Sequence, residues 1–347
     1  MNRRNFIKLS ALTAGAVIGG RLLTACEKTV GAGSKNVVSD AAVKSMDMNV
    51  TYVTEVINRP KMGEKIELWV PLVQDDHGQE VIRTSIDSPV AYSINTDDRY
   101  GNKMIYAGSK ELKEGDRISV KYKIRRNTVH ILEDRKEDIK KHLVLTEKEE
   151  WDKGITMFVD SIVAGEKGPL EIGRKIYYGL VDYLTYDKTI PGCGLGISVW
   201  TFENRAGRCD DFHALFRTMM IYKGVPVKWE QGFPLPYPSE LTKSGKLEGD
   251  CTGAHCWVSF YAGDGKWVPV DVSEADKRED LRDYHFGTLS PNRFKVSTGR
   301  DLVLSPPQKG EPLNTFPFTY AESDGIPLIY GHHYRNIIQY EISNVEV

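Results

Sequence analysis

The chain has 347 residues, 40% of them hydrophobic, and a formal net charge of −2. Near-neutrality removes the basic footprint of a nucleic-acid partner, and the length suffices for two hydrophobic cores at roughly 100–200 residues per domain. Five cysteines in a chain this long exclude the dense disulfide framework of small secreted domains.

The first elements read as an address. Arg3 and Arg4, followed by Asn5, Phe6, Ile7 and Lys8, resemble a twin-arginine export signal. The apolar stretch from Leu9 to Leu23 is interrupted by Gly15, Gly19, Gly20 and Arg21, and is too short and broken for a membrane span. It ends in Leu23-Thr24-Ala25-Cys26, which resembles a bacterial lipobox, whose cysteine is acylated and becomes the mature N-terminus. Residues 1–26 are therefore expected to be a signal with Cys26 as the lipidation site. Residues 27–46, small and polar, are expected to be a flexible spacer. An acyl chain tethers rather than spans. The expected location is thus the cell envelope, as a periplasmic or outer-membrane lipoprotein whose membrane contact is its lipid.

Residues 47–131 follow a β pattern. Ile118, Val120, Tyr122 and Ile124 alternate with Arg117, Ser119, Lys121 and Lys123, the period of a half-buried antiparallel strand. Asn49 to Ile57 and Lys65 to Val70 are also strand-like, and Gly63, Gly78, Gly101 and Gly115 mark turns. Several short strands with turn signals predict a β-sandwich-like domain. Residues 132–150, dense in Glu133, Asp134, Arg135, Lys136, Glu137 and Asp138, read as a solvated linker or exposed helix.

From residue 151 the period becomes helical. Leu170, Ile172, Ile176, Tyr177, Leu180, Val181 and Leu184 form one apolar stripe. After a loop at Pro191 to Gly196, Phe212, Leu215, Phe216, Met219 and Met220 form a second, which Gly224 ends. Cys209 lies one turn before Phe212, at that helix's N-terminal end. Strand-like segments follow at 225–231, 255–261 and 267–272. Between the first two lies a 233–253 loop with three prolines, expected to wall a cleft. The region from Asp301 is Pro-rich and then strand-like to Val347, and is assigned to a catalytic domain spanning 151–347.

Gly207-Arg208-Cys209-Asp210-Asp211-Phe212, Tyr222-Lys223-Gly224-Val225-Pro226-Val227, Gly253-Ala254-His255-Cys256-Trp257-Val258 and Trp267-Val268-Pro269-Val270-Asp271 together resemble the transglutaminase-like superfamily, in family order. Leu68-Trp69-Val70-Pro71-Leu72 and Tyr100-Gly101-Asn102 are similar to the β domain that precedes the catalytic domain in many bacterial members. The resemblance implies an α+β fold, with an N-terminal antiparallel β-sandwich-like domain followed by a transglutaminase-like, papain-like catalytic domain.

It also implies a Cys-His-Asp triad. The thiolate is the reactive form of cysteine, and a helix N-terminus and a neighbouring imidazolium both stabilise it. Cys209 is then the nucleophile, His255 the base and Asp271 the group that orients His255. The Cys209 backbone N–H is a natural oxyanion donor, and the Trp200 indole is a second candidate. Asp210 and Asp211 are assigned to the helix dipole, and His213 to a partly exposed helix face. Cys256, adjoining His255 on a strand, is placed on the opposite side as a core or surface thiol. Trp257 and Trp267 are read as packing residues. His285, His332, His333 and Cys251 show no metal-ligand spacing, so no metal and no cofactor are expected.

The expected function is thiol-dependent acyl transfer at amide bonds, as a cysteine peptidase or amidase acting on envelope peptides or proteins. A protein cross-linking transglutaminase and a non-catalytic binding lipoprotein that keeps the fold are the alternatives. The expected partners are a peptide or protein substrate and the membrane, with no nucleic acid.

Overall fold

A computed structural model describes residues 38–60 and 65–347. The expected export signal, Cys26 and most of the expected spacer lie outside the described residues. The end of that spacer is already structured. Asp40 is buried in a short 3-10 turn, where it accepts bonds from the Ser239 N–H and hydroxyl (2.8 and 2.7 Å) and from Arg278 (3.0 Å).

The elements follow in chain order. Strands β1 (Ser45–Val56), β2 (Ile66–Pro71), β3 (Gln79–Asp87), β4 (Ser93–Thr96), β5 (Lys103–Ser109), β6 (Arg117–Asn127) and β7 (Leu132–Glu133) come first. Helices α1 (Lys153–Val163) and α2 (Pro169–Tyr183), strand β8 (Thr185–Tyr186), helix α3 (Ser198–Asn204), strand β9 (Ala206–Gly207) and helix α4 (Cys209–Tyr222) follow. Strand β10 (Val227–Pro234), helix α5 (Pro238–Ser244), strands β11 (Glu248–Asp250), β12 (His255–Gly263) and β13 (Lys266–Val270), and helix α6 (Val272–Lys277) come next. The chain closes with β14 (Arg293–Thr298), β15 (Tyr320–Ser323), β16 (Ile326–Pro327) and β17 (Tyr334–Glu346).

Among the described residues these strands form three five-stranded sheets, ordered β11-β17-β1-β6-β3, β16-β15-β2-β5-β4 and β14-β10-β12-β13-β7. The pairings named in this section are antiparallel except for the small β8-β9 ribbon. The first two sheets enclose one apolar core, the expected sandwich. In β6 the alternation read from the sequence is realised, with Ile118, Val120, Tyr122 and Ile124 inward. The whole is a mixed α+β fold.

Three expectations about its organisation are corrected. The C-terminal strands do not join the catalytic elements. β17 pairs with β1 along its length, from Ser45↔Glu346 to Val56↔Tyr334, and β15 pairs with β2. A sandwich left with two open edges recruits distant strands to fill its hydrogen-bonding demand. Residues 132–150 are not a solvated linker. β7 pairs with β13, His142 is buried, and Glu149, fully buried, takes the Arg217 guanidinium on one oxygen and that of Arg300 (2.7 Å) on the other. The 233–253 segment is not structureless, for it carries α5 and β11. Its Phe233, Leu235 and Leu241 enter the sandwich core beside Phe294 and Val296. Shared packing explains why the described residues form one compact unit. The Tyr-Gly-Asn motif adds a polar tie: Asn102 exchanges two hydrogen bonds of 2.8 Å with the backbone of Thr298 in β14.

Helix α4 is the axis of the third sheet's packing. Phe212, Leu215, Phe216, Met219 and Met220 are completely buried, each worth roughly 1.5–3 kcal/mol of burial. The helix is not amphipathic in place, however. His213, Arg217 and Thr218 are buried too, each with a hydrogen-bonding partner, as burial of polar groups requires. Among the described residues no helix is long and apolar enough to cross a membrane.

Candidate active site

Cys209 is the first residue of α4. The turn before it is fixed by Asp211, whose carboxylate accepts from the N–H groups of Arg208 (2.8 Å), Gly194 (2.7 Å) and Gly196 (3.0 Å). Gly207 is obligatory there, because a Cβ would lie 2.5 Å from an Asp211 oxygen. Asp211 thus caps the helix and pins the 194–196 loop over it. Cys209 is buried to 5% exposure, at the end of the helix where backbone N–H groups have no intrahelical acceptor.

His255 opens β12, opposite Gly232 of β10. That strand position is crowded: a Cβ on Gly232 would sit 1.9 Å from the Phe294 carbonyl oxygen, so only glycine lets β10 bulge against β14 at this point. Asp271 follows β13 and caps α6, accepting from the Glu274 N–H at 3.0 Å. The strand order β10-β12-β13 with α4 packed against β12 therefore delivers all three predicted residues to one place. His255 Nε2 lies 2.8 Å from Asp271 Oδ2, and the imidazole also interacts with Cys209.

The electrostatics follow from this arrangement. Burial would push the Asp271 pKa up, but the charges of His255 and Arg293 outweigh it and hold the carboxyl well below its ordinary value. Burial likewise pulls His255 down, and Asp271 and Cys209 more than reverse it, raising the imidazole to about 9. For Cys209 the largest influence is the neighbouring Cys256 thiol, which lowers it. Burial opposes it and the His255 imidazolium reinforces it, so the thiol is held well below its usual value. The site is thus arranged for a thiolate-imidazolium pair at neutral pH.

Several residues here were not expected. Arg293, at the start of β14, is 2% exposed, donates to Asp271 Oδ2 at 2.7 Å and stacks over the Trp257 ring at 4.9 Å. A lone arginine some distance beyond the last motif carries no sequence signal for this role. Ser273 adds a bond to Asp271 of 3.1 Å. Glu274 lies 3.9 Å from His255 Nε2, bound to Lys277 and to the Tyr237 hydroxyl (2.9 Å). His213 is completely buried rather than partly exposed, because α4 is covered on every side. Asp210 does not serve the helix terminus alone. It is half-buried with an oxygen 3.5 Å from the Cys209 sulfur, and burial together with the Cys209 charge pushes its carboxyl well up. Cys256 does point away from the His255 side of the strand, but that face is the one packed on α4 and Cys209.

Trp200 lies half-buried on α3, its indole nitrogen beside Gly192. Trp257 and Trp267 are packing residues, 0% and 1% exposed. The four described cysteines are free thiols. Among the described residues one group of donor atoms is close enough to share a metal ion: Cys209, Asp210 and Cys256, all within 4.8 Å of one another. It coincides with the nucleophile's own surroundings. Beside His255 a cleft of about 340 Å3 opens, walled by Leu235, Tyr237 and Glu240 on one side and by Glu274 and Lys277 on the other.

Residues 156–272 match the sequence profile of the transglutaminase-like superfamily. The matched stretch contains Cys209, His255 and Asp271. An uncharacterized protein of Haemophilus influenzae is 26% identical over 216 residues, covering 55% of this chain and 58% of that protein. The chain thus spans less than two thirds of that relative. Among solved structures, a candidate cysteine protease from Cytophaga hutchinsonii aligns with a TM-score of 0.47 at 12% identity, over 88% of this chain and 92% of that one. The periplasmic domain of TgpA from Pseudomonas aeruginosa aligns with a TM-score of 0.36 at 11% identity, over 71% of this chain and 93% of that one.

Proposed function

We propose that this protein is a thiol-dependent hydrolase of amide bonds, a cysteine peptidase or amidase acting on peptides or proteins of the cell envelope. The observation that carries the reading is the convergence of Cys209 at a helix N-terminus, His255 and a fully bonded Asp271 in one buried cluster beside an open cleft. In this reading the Cys209 thiolate attacks the amide carbonyl. The oxyanion is met by the backbone N–H of Cys209, with the Trp200 indole as second donor. The His255 imidazolium gives its proton to the departing amine, leaving a thioester on Cys209. His255, now neutral, takes a proton from water, which attacks the thioester and releases the acid. Asp271 keeps Nε2 occupied so that the other ring nitrogen faces the sulfur.

The substrate lies in the cleft beside His255, with the 234–240 part of the connection between β10 and β12 as one wall. Acceptance of an amine in place of water would make the enzyme a cross-linking transglutaminase. Arg3-Arg4 and Leu23-Thr24-Ala25-Cys26 support export as a lipoprotein, with mature protein starting at Cys26 and Cys26→Ala losing membrane fractionation.

The deciding experiment is a thiol-directed activity probe with mass mapping of the label, combined with a quenched peptide panel assayed with and without a primary amine. Labelling at Cys209 that requires His255, with peptides cut to free acids, is the expected result. Amide products in the presence of amine would assign transamidation. A Cys209 that reacts no faster than Cys193 would leave only a binding protein.

A further inference from the structure

Cys256 is completely buried and has no part in the steps above. It shares an apolar cluster with Cys209, and the two sulfurs lie within 4.8 Å of each other. What orients it is His213. The Val272 N–H donates to His213 Nε2 at 3.1 Å, which fills that nitrogen's lone pair. Asp271 Oδ1 is 3.5 Å from the same nitrogen, but a ring nitrogen that accepts a backbone N–H carries no proton to offer it. The proton of the neutral ring is therefore on Nδ1, and burial, the strongest influence on this histidine, keeps the ring neutral by pulling its pKa down to about 4. Nδ1 faces the Cys256 sulfur at 3.4 Å. With one sulfur lone pair taken by this N–H, the Cys256 S–H turns elsewhere; the acceptors within reach are the Cys209 sulfur and an Asp210 carboxyl oxygen, and the Asp210 carboxyl, pushed well up by burial and the Cys209 charge, is the weaker of the two.

We propose that Cys256 is a second thiol of the active site, donating its S–H to the Cys209 thiolate, and that His213 is the positioning residue that aims it. The inference rests on Cys209 being the nucleophile. It gives the site a bonded chain from the Val272 N–H through His213 and Cys256 to the reacting sulfur. A thiol is a weak donor. It stabilises the resting thiolate while costing little when that sulfur leaves the bond to attack a carbonyl. A stronger donor would depress nucleophilicity along with the pKa.

The other groups around Cys209 set the background for the test. Asp210 and Asp211 share its helix, His255 comes from β12, and Asp271 stands at the end of β13. Glu274 and Lys277 face the site from α6, Tyr186 from β8, and Arg300 from the chain after β14. All of these side chains are retained when Cys256 is replaced.

The experiment follows the rate of iodoacetamide alkylation of Cys209 in the folded full chain from acid to alkaline pH, with mass mapping to set aside Cys193 and Cys251. Wild-type Cys209 should titrate well below the ordinary thiol value of about 8.5. Cys256→Ala should raise the midpoint by about one pH unit, a tenfold loss of thiolate on the acid limb. Cys256→Ser, whose hydroxyl still donates, should recover most of it. A depressed wild-type midpoint that Cys256→Ala leaves in place would overturn this inference alone. A wild-type midpoint near that of a free thiol would overturn both it and the proposed function. Should Cys256→Ala fail to fold, the Raman S–H band decides. The Cys256 band of the wild type should lie at the low frequency of a strongly bonded thiol and rise in Cys209→Ala, and a band that does not move would overturn the donor role.

Discussion

At the scale of single residues the site depends on one carboxylate that does two things. Asp271 orients His255 and neutralises the buried guanidinium of Arg293. Asp271→Asn should therefore lose about 100- to 10,000-fold in turnover through a misoriented, less basic imidazole. It should also lose about 3–5 kcal/mol of stability, because Arg293 is left as an uncompensated buried charge. Denaturant unfolding beside peptide kinetics would separate the two losses, and an inactive but fully stable variant would contradict the second. His255 makes a further prediction through pH. Its folded pKa, about 9, lies above its unfolded value. The stabilisation from its charged form is thus complete below the unfolded value of about 6.5 and is lost as pH rises through about 9. Turnover should fall over the alkaline part of the same window as His255 loses the proton it hands to the leaving amine. Melting temperatures of wild type and His255→Gln should converge as pH rises from neutral toward 9. A constant difference would place the titration elsewhere.

At the scale of elements, α4 carries the nucleophile and is itself held by charges it buries. Glu149 bridges Arg217 of α4 to Arg300, which follows β14. Glu149→Ala should destabilise the protein by about 3–5 kcal/mol, since two guanidinium groups lose their counter-charge in a dry setting. Glu149→Gln, which keeps the shape and one acceptor, should cost less. Chemical denaturation would check the order, and a silent Glu149→Ala would mean that water reaches the pair. The surface reading of the 132–150 stretch misses this residue because a run of charges looks the same whether one member is buried or none is. Only the position of Arg217 on the inner side of α4 and the return of Arg300 distinguish them.

At the scale of the whole molecule the chain is closed by its own end. β17 sits between β11 and β1, and β15 lies against β2, so the sandwich needs residues more than 250 positions apart. A fragment of residues 151–347 should therefore fail to unfold cooperatively, with β13, β15 and β17 presenting edges opened by the loss of β7, β2 and β1. A fragment with a sharp thermal transition and thiol labelling at Cys209 would show that the catalytic half folds alone. The sequence by itself determined the pieces that local chemistry encodes. These are the alternation in β6, the helical stripe of α4, the glycine before Cys209, and the order of the Cys209, His255 and Asp271 motifs. Each depends on neighbours a few residues away, where pattern and spacing are visible. Tertiary structure alone decided the partners of those pieces. Burial of His213 inside a fully covered helix, Arg293 behind Asp271, and Cys256 on the Cys209 side of its strand all depend on which elements pack together. That choice is made by long-range hydrogen-bonding edges and shared core, which leave no local trace in the order of residues.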